Sequence, residues 1–227
     1  VDIDNITTKT PYEEDPPGNA YSAASPASSA DVNMIAYGKD GSGNSQYVIV
    51  RDADSGCHYY SNKTNFIDNK AAWTQASITK LDPALTTGPK QWNVLWGNNV
   101  WVSVGEINTS TRRIFRSTDG ATWTQMNITS LTDIAPTNNG GENKIRALTS
   151  DGSGTWWFGL GTKIYKSTDD AATWALEYTL DVGTTVGDGG KGRIRKLVYT
   201  NSSLVCSYVY DDGVASNGLA YAISAPA

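Results

Sequence analysis

The sequence contains few of the side chains that most enzymes use for catalysis. His58 is its only histidine, which excludes a multi-histidine metal centre and leaves one residue for any Ser-His-Asp mechanism. The only cysteines, Cys57 and Cys206, leave a disulfide, two thiols or an intermolecular bridge open. This composition excludes most metal chemistry, and we expect no cofactor.

Charge and long apolar runs are also scarce. Only 18% of the residues are charged and the net charge is −5, so the chain lacks the basic surface by which proteins bind duplex nucleic acid. No apolar run approaches the roughly 20 residues that a membrane-spanning helix needs. We therefore expect neither nucleic-acid binding nor membrane insertion. Sustained 3.6-residue periodicity is absent as well, which predicts few helices.

Aromatic residues are plentiful, but they are of an unusual kind. Eight Trp and twelve Tyr stand against three Phe and two Met. Amphipathic rings of this type favour half-buried positions in sheets over the Leu- and Met-rich packing of helical bundles. A length of 227 residues suits one all-β domain.

An internal repeat organises most of the chain. Trp73, Trp123 and Trp174 end similar phrases and lie 50 and 51 residues apart. The segment 114–120 resembles 164–170, and 144–148 resembles 193–197. A period near fifty residues divides the chain into four units, at roughly 31–88, 89–140, 141–189 and 190–227.

Each unit contains short β-rich runs separated by Gly, Asn and Asp turns. Asn98-Asn99 and Asp119-Gly120 are hairpin signals, because these residues tolerate positive φ. Four antiparallel strands per repeat predict an all-β protein, a β-propeller of four-stranded blades. The fourth unit stops before any final Trp strand. Either an N-terminal strand closes a small ring, or the chain is part of a larger ring.

The N-terminal region differs from the repeats in composition. Residues 1–30 are predicted to form an extended arm or closing strand followed by a Pro/Ser/Ala-rich linker, and 31–227 the propeller. The linker is either a simple spacer or an arm that docks on a neighbouring subunit.

Two segments of the repeat resemble a known motif. The segment Ser167 to Trp174 resembles the Asp-box, or BNR repeat, with Ala171 in place of its glycine, and Ser117 to Trp123 resembles a variant one residue shorter, found in phage and bacterial propellers. The resemblance implies a propeller in which these boxes lie away from the binding face. It implies fold roles rather than ligand contacts for Ser117, Asp119, Trp123, Ser167, Asp169 and Trp174.

Candidate ligand-binding residues come from the first strand of each unit. Arg146 and Arg195 occupy equivalent places, and two arginines facing a central channel could bind a carboxylate or an anionic sugar. Trp92 and Trp96 share strand parity and could stack on sugar rings. The alternative interpretations are solvated cations for the arginines and packing between blades for the tryptophans. No catalytic or metal-binding residue is predicted.

These observations favour a non-enzymatic structural protein of a bacteriophage virion. It would decorate a capsid or form part of a tail or fibre, and its partners would be other virion proteins, copies of itself or surface glycans. The alternatives are a secreted propeller that binds or cleaves carbohydrate, and a propeller-type assembly factor that binds a protein partner. The expected location is the virion or the extracellular space.

Overall fold

The computed structural model describes residues 32–51, 58–61, 73–81, 90–107, 112–128, 131, 145–180, 193–200, 202–211 and 216–224. These ranges contain sixteen β-strands and no helix. Accordingly, no helix long and apolar enough to span a membrane is found among them. The predicted N-terminal arm, the proposed closing strand and Cys57 all lie outside the described residues.

The strands form four sheets in chain order. The first sheet contains β1 (Val32–Lys39), β2 (Ser45–Arg51), β3 (His58–Ser61) and β4 (Thr74–Gln75). The second contains β5 (Ser77–Thr79), β6 (Gln91–Gly97), β7 (Val100–Ile107), β8 (Arg112–Ser117) and β9 (Thr122–Gln125). The third contains β10 (Ala147–Ser150), β11 (Trp156–Leu160), β12 (Lys163–Ser167) and β13 (Ala175–Thr179). The fourth contains β14 (Arg193–Thr200), β15 (Ser203–Asp211) and β16 (Ser216–Ser224).

This architecture confirms the predicted fold class, a propeller of antiparallel blades with one blade for each repeat. Apart from β5, successive strands of each sheet pair with one another in antiparallel fashion, so the blades are meanders. The fourth sheet has three strands in the described region, as its missing Trp strand implied.

The second sheet departs from the prediction, because β5 joins it as a fifth strand that runs parallel to β9. The reason lies in the chain just before β5. The backbone N–H of Ala76 still donates to the His58 carbonyl in the first sheet, whereas that of Ser77 donates to the Ala121 carbonyl in the second. The chain therefore crosses between the two sheets at their outer edges and ties them together.

The core is built between successive sheets. β6 packs against β1 and β2, β10 packs against β6, and β14 packs against β10 and β11. The first strands thus form the central part of the array, and each pair of sheets encloses its own apolar cluster. Cys206 is a buried thiol in the cluster between the third and fourth sheets.

The two ends of each sheet differ in the connections they carry. In a four-stranded meander, the turns between strands one and two and between strands three and four share one end. We call this the Asp-turn end. The opposite end, where the first strand of each sheet begins, we call the strand-start end.

Candidate functional site

The turn between β8 and β9 is organised by one carboxylate and one hydroxyl. Asp119 Oδ1 accepts hydrogen bonds from the backbone N–H groups of Ala121 at 2.9 Å and Thr122 at 2.7 Å, and from the Ser117 hydroxyl at 2.9 Å. Ser117 Oγ in turn accepts from the backbone N–H of Gly120 at 2.8 Å. Gly120 has a φ of 68°, a left-handed conformation that glycine adopts without steric cost. Side chains therefore satisfy the amides that the turn leaves without backbone partners.

The turn between β12 and β13 repeats this arrangement with one more residue. Asp169 accepts from the backbone N–H of Thr173 at 2.8 Å, from the Thr173 hydroxyl at 2.6 Å and from the Ser167 hydroxyl at 2.7 Å. The additional residue places both Asp170 and Ala171 at positive φ, 56° and 63°. In both turns, a serine hydroxyl and an aspartate carboxylate accept hydrogen bonds from the backbone amides of the turn.

The tryptophans that follow the turns lie in the cores between sheets. Trp123 is fully buried, and its indole N–H donates to the Gly120 carbonyl at 2.8 Å. Trp174 is also buried, edge-on to Phe158 at 4.8 Å between ring centroids. These placements are those of packing side chains, since a buried indole has no surface with which to meet a ligand.

The turn carboxylates are held in the ionised form. Partial burial would raise the pKa of Asp119, but the hydrogen bonds from Thr122, Ser117 and Ala121 outweigh it and lower the pKa. Burial is likewise outweighed at Asp169 by hydrogen bonds from Thr173 and Ser167, so that pKa is also lowered. A carboxyl group with a lowered pKa is a poor general acid at neutral pH.

A second pair of loops at the Asp-turn end was not singled out by the sequence reading. Asp40 and Asp151 each begin an Asp-Gly-Ser-Gly loop, between β1 and β2 and between β10 and β11. Asp151 accepts from the backbone N–H of Ser153 at 2.8 Å, and hydrogen bonds outweigh burial in lowering its pKa. At Asp40 the side-chain and backbone hydrogen bonds of Asn44 lower the pKa. The repeated tetrapeptide, 111 residues apart in the sequence, is the signal that could have found these loops.

The predicted ligand residues Trp92 and Arg146 come together at the strand-start end. The Arg146 guanidinium carbon lies 4.5 Å from the centroid of the Trp92 ring, within cation–π range. The side-chain amide of Asn93 donates to the Arg146 carbonyl at 2.8 Å and fixes the backbone that carries the arginine. The second and third sheets thus share one aromatic–cation pair, with both side chains half-buried.

Register irregularities explain why these side chains meet. β1, β6 and β14 each have a register shift near their first residues, between Val32 and Met34, Gln91 and Asn93, and Ile194 and Lys196. Asn33, Trp92 and Arg195 are the residues inside these shifts, and Arg146 holds the equivalent place just before β10. A bulge redirects the side chain that it carries. The four sheets therefore present Asn33, Trp92, Arg146 and Arg195 at one repeated position.

The same bulge separates Trp92 from Trp96, which parity alone placed on one face. Trp96 packs with the cluster between the first and second sheets, directly against Gly38 of β1. Asn33, at the repeated position of the first sheet, donates from its side-chain amide to the Gln91 carbonyl at 2.7 Å. Trp96 therefore lies in the blade interface, whereas Trp92 lies with Arg146.

His58 does not lie near any of these groups. It is fully buried in the first–second sheet interface, where Nε2 lies 2.6 Å from Ser103 Oγ. Burial lowers the pKa of His58 to about 3, so the ring is neutral. Within the described ranges, no group of three His, Cys, Asp or Glu side chains is arranged to hold a metal ion.

Comparison with known proteins gives structural likeness only. No protein-family model matches the chain, and no curated protein matches its sequence. YCF48 from Cyanidioschyzon merolae is 12% identical with a TM-score of 0.43, over 78% of this chain and 52% of that one. The Bombyx mori GH32 β-fructofuranosidase BmSUC1 is 14% identical with a TM-score of 0.40, over 85% and 46%. PorZ, a surface component of the type-IX secretion system of Porphyromonas gingivalis, is 12% identical with a TM-score of 0.29, over 87% and 29%. This chain thus spans about half the length of the first two structures.

Proposed function

We propose that this chain is a non-enzymatic structural module of a bacteriophage virion, in a capsid decoration or in a tail or fibre. Its propeller serves as a rigid scaffold that holds loops and sheet faces in fixed positions for assembly contacts. The shortened Ser117-to-Trp123 turn supports the phage assignment through its resemblance to the variant described above.

The non-enzymatic part of this proposal rests on the hydrogen bonds and ion pairs that the carboxylates already make. In the ranges whose side chains are described, every carboxylate accepts a hydrogen bond or pairs with a cation: Asp40, Asp119, Asp151, Asp169, Asp170 and Glu177. Glycosidases instead pair a carboxylate with a carboxylic acid whose pKa is raised. The turn aspartates have lowered pKa values, which suits a scaffold rather than an acid catalyst.

Fractionation of purified particles tests the virion assignment. An antibody against the chain should detect it in density-purified phage particles, and cryo-electron microscopy should place a propeller of this size on the capsid or tail. Recovery of the protein only as a soluble species, absent from the particles, contradicts the assignment. A panel of chromogenic glycosides measures the non-enzymatic part separately, and we expect no turnover.

The contact between Trp92 and Arg146 favours a second candidate function, recognition of an anionic carbohydrate. A guanidinium fixed over an aromatic ring offers planar hydrogen-bond donors for a carboxylate, next to an apolar face on which a sugar can stack. On a glycan array that carries acidic and neutral sugars, this candidate requires binding that is strongest to acidic ones. Binding should be lost in Arg146→Ala and in Trp92→Ala. Lys166→Ala, which removes a half-buried cation that pairs with Glu177 in the same sheet, serves as the control. Absence of binding to every glycan on the array rejects this candidate and does not affect the proposed scaffold role.

A further inference from the structure

The interface between the first and second sheets buries a titratable group of a kind that the other interfaces do not contain. His58 is the only histidine of the sequence, and it is fully buried there, with Nε2 2.6 Å from Ser103 Oγ. Among the described residues, the apolar clusters between the second and third sheets and between the third and fourth contain no histidine or carboxylate. A fall in pH from 7 to 5 therefore acts on a buried group at one of the three described interfaces, because histidine is the side chain whose ordinary pKa lies in that range.

Three parts of the fold meet at His58. Its imidazole contacts the second sheet through Ser103 of β7 and through Trp123 of β9, whose ring centroid lies 4.3 Å from that of the imidazole. Its backbone carbonyl accepts a hydrogen bond from the N–H of Ala76 at 3.0 Å, where the chain leaves the first sheet. One residue therefore connects the first sheet, the second sheet and the chain that crosses between them.

The chain that crosses between the two sheets is short. We call residues 76–79 the crossing segment; its strand β5 has three residues and pairs in parallel with the outer strand β9. Ser77 and Thr79 are exposed, and Ile78 packs half-buried on the cluster that contains Trp123. Elements with few buried apolar contacts and exposed backbone hydrogen bonds open at the lowest cost in free energy. The crossing segment is such an element.

The side chains around the imidazole are uncharged. Val50 is paired with His58 on the neighbouring strand β2, and Phe115 of β8 lies edge-on with 5.6 Å between ring centroids. Tyr60, a neutral phenol, packs on the same cluster as Val50 and Phe115. An imidazolium formed among these groups would lose its hydration without gaining a counter-charge from them. Burial accordingly lowers the pKa of His58 to about 3, and the ring is neutral while the sheets are in contact.

The charged side chains described on the strands around His58 lie elsewhere. Arg51 of β2 packs over the ring of Tyr59, which alternates with His58 along β3 and belongs to the cluster on the opposite face of the first sheet. Arg116 of β8 donates from Nε to the Asp170 carbonyl in the third sheet. The sequences of β3, β5, β6 and β9 contain no Asp, Glu, Lys or Arg. None of these groups therefore offsets a charge on His58.

Acid can charge His58 only where water reaches the ring. In a conformation that separates the first sheet from the second, the imidazole is hydrated and titrates near its ordinary pKa of 6.5. Protons then bind the open form in preference to the closed one, so the open form gains population as the pH falls. The clusters of the other two interfaces contain no such group in the described residues, so the same fall in pH leaves their contacts unchanged.

We propose that the contact between the first and second sheets is an acid-sensitive switch. As the pH falls from 7 to 5, His58 becomes hydrated and charged, the crossing segment leaves β9, and the first sheet separates locally from the second while the third and fourth sheets stay folded. The opening uncovers the edge of β9 with which β5 pairs in the closed form. This switch requires neither a virion nor a glycan, so it is independent of the proposed function.

Hydrogen–deuterium exchange measured by mass spectrometry on the whole chain tests the proposal. Exchange is recorded at pH 7 and pH 5, and each rate is divided by the intrinsic exchange rate at that pH to give an opening equilibrium constant. For amides of β2, β3, β5 and β9 we expect this constant to rise about 25-fold, the factor for a group whose pKa is 6.5 when hydrated and about 3 when buried. For amides of β11 and β12 we expect a change of less than about twofold.

Two variants separate the charge of His58 from its hydrogen bond. His58→Gln cannot be protonated, so the rise in opening between pH 7 and pH 5 should disappear. Ser103→Ala is the matched control, because it removes the hydrogen-bond partner of Nε2 but leaves the imidazole in place. Opening of Ser103→Ala should increase at both pH values, and the ratio between them should remain about 25-fold.

Three outcomes overturn the proposal. The first is an opening constant at the first–second interface that does not change between pH 7 and pH 5. The second is an equal rise in all four sheets, which shows that acid unfolds the whole chain. The third is a retained rise in His58→Gln whose β11 and β12 amides exchange at wild-type rates, which establishes that this variant is folded. If His58→Gln does not fold, the comparison between sheets of the wild-type chain decides the question by itself.

Discussion

The imidazole of His58 on β3 lies 2.6 Å from the hydroxyl of Ser103 on β7, across the interface between the first and second sheets. Trp123 lies close to the same ring at 4.3 Å and Phe115 edge-on at 5.6 Å, both between centroids. The single histidine therefore joins two blades through a buried hydrogen bond, and its neutral form is part of the folded state.

This burial makes stability depend on pH. The pKa of His58 is lowered from 6.5 to about 3, so protons favour the unfolded chain, and the stability due to the neutral ring is lost as pH falls below the unfolded value. Between pH 7 and pH 5 we expect a loss of about 2 kcal/mol in the free energy of unfolding. Urea unfolding measured at both pH values checks this loss. His58→Gln cannot titrate, so its stability should change much less over that interval, and an equal slope in both proteins contradicts the assignment.

The Asp turns should be required for stability. Asp119→Ala leaves the amides of Ala121 and Thr122 without their acceptor, and we expect a loss of about 1–2 kcal/mol. Asp169→Ala should cause a similar loss of stability, because Asp169 accepts a hydrogen bond from the backbone N–H of Thr173. Thr118→Ala changes an exposed side chain of the same turn and is the control. Thermal unfolding that ranks Thr118→Ala with the aspartate variants argues against this role for the carboxylates.

Because Trp96 packs directly against Gly38, any side chain at position 38 should destabilise the protein. A Cβ at position 38 would overlap the Trp96 side chain, and relieving the overlap means moving a packed indole. We expect Gly38→Ala to destabilise the protein by about 1–3 kcal/mol. Gly41→Ala, whose added methyl would meet only ordinary contacts, should cost much less. In the background of Trp96→Leu the cost of Gly38→Ala should fall, and strict additivity in this double-mutant cycle contradicts the overlap.

Ala171 stands at the glycine position of the turn motif, and two effects of restoring glycine should nearly cancel. Relief of the left-handed φ of 63° favours glycine by about 1 kcal/mol. Loss of a fully buried methyl opposes it by about 0.8 kcal/mol, with a further entropic cost of about 0.5–1 kcal/mol. Ala171→Gly should therefore be neutral to slightly destabilising in urea unfolding. Ser202→Gly relieves a φ of 60° at an exposed position without losing a buried methyl, so it should be the more favourable change of the two. Clear stabilisation by Ala171→Gly would show that the buried methyl contributes little.

The blade pattern was accessible from the sequence because it is local. Alternating β-rich runs and turn residues predicted four antiparallel strands per repeat, and the third sheet has this form, from Ala147–Ser150 to Ala175–Thr179. The Asp turns were equally readable, since a carboxylate that bonds amides two to four residues away requires only short-range spacing. The extra strand β5 was missed, because its partner β9 lies more than forty residues further along the chain.

In the candidate site too, the sequence predicted local features and missed those that depend on pairing between strands. The pattern placed Arg146 and Arg195 at equivalent positions of two repeats, but it grouped Trp92 with Trp96 by parity. One bulge between Gln91 and Asn93 reverses that grouping, and nothing in the residue types of this segment signals it. Which aromatic ring meets the guanidinium is therefore a matter of backbone register between strands.

By itself, the sequence determined the four repeats, the chemistry of their turns and the scarcity of His and Cys, because each depends on composition or on a recurring local pattern. Only the tertiary structure decided which faces of the blades are covered. Ile35 and Leu197 are similar apolar side chains at the same repeated position, yet one is 46% exposed and the other 3%. Burial depends on what packs on top of a side chain, so similar apolar residues at one repeated position are core in three sheets and partly exposed in the first.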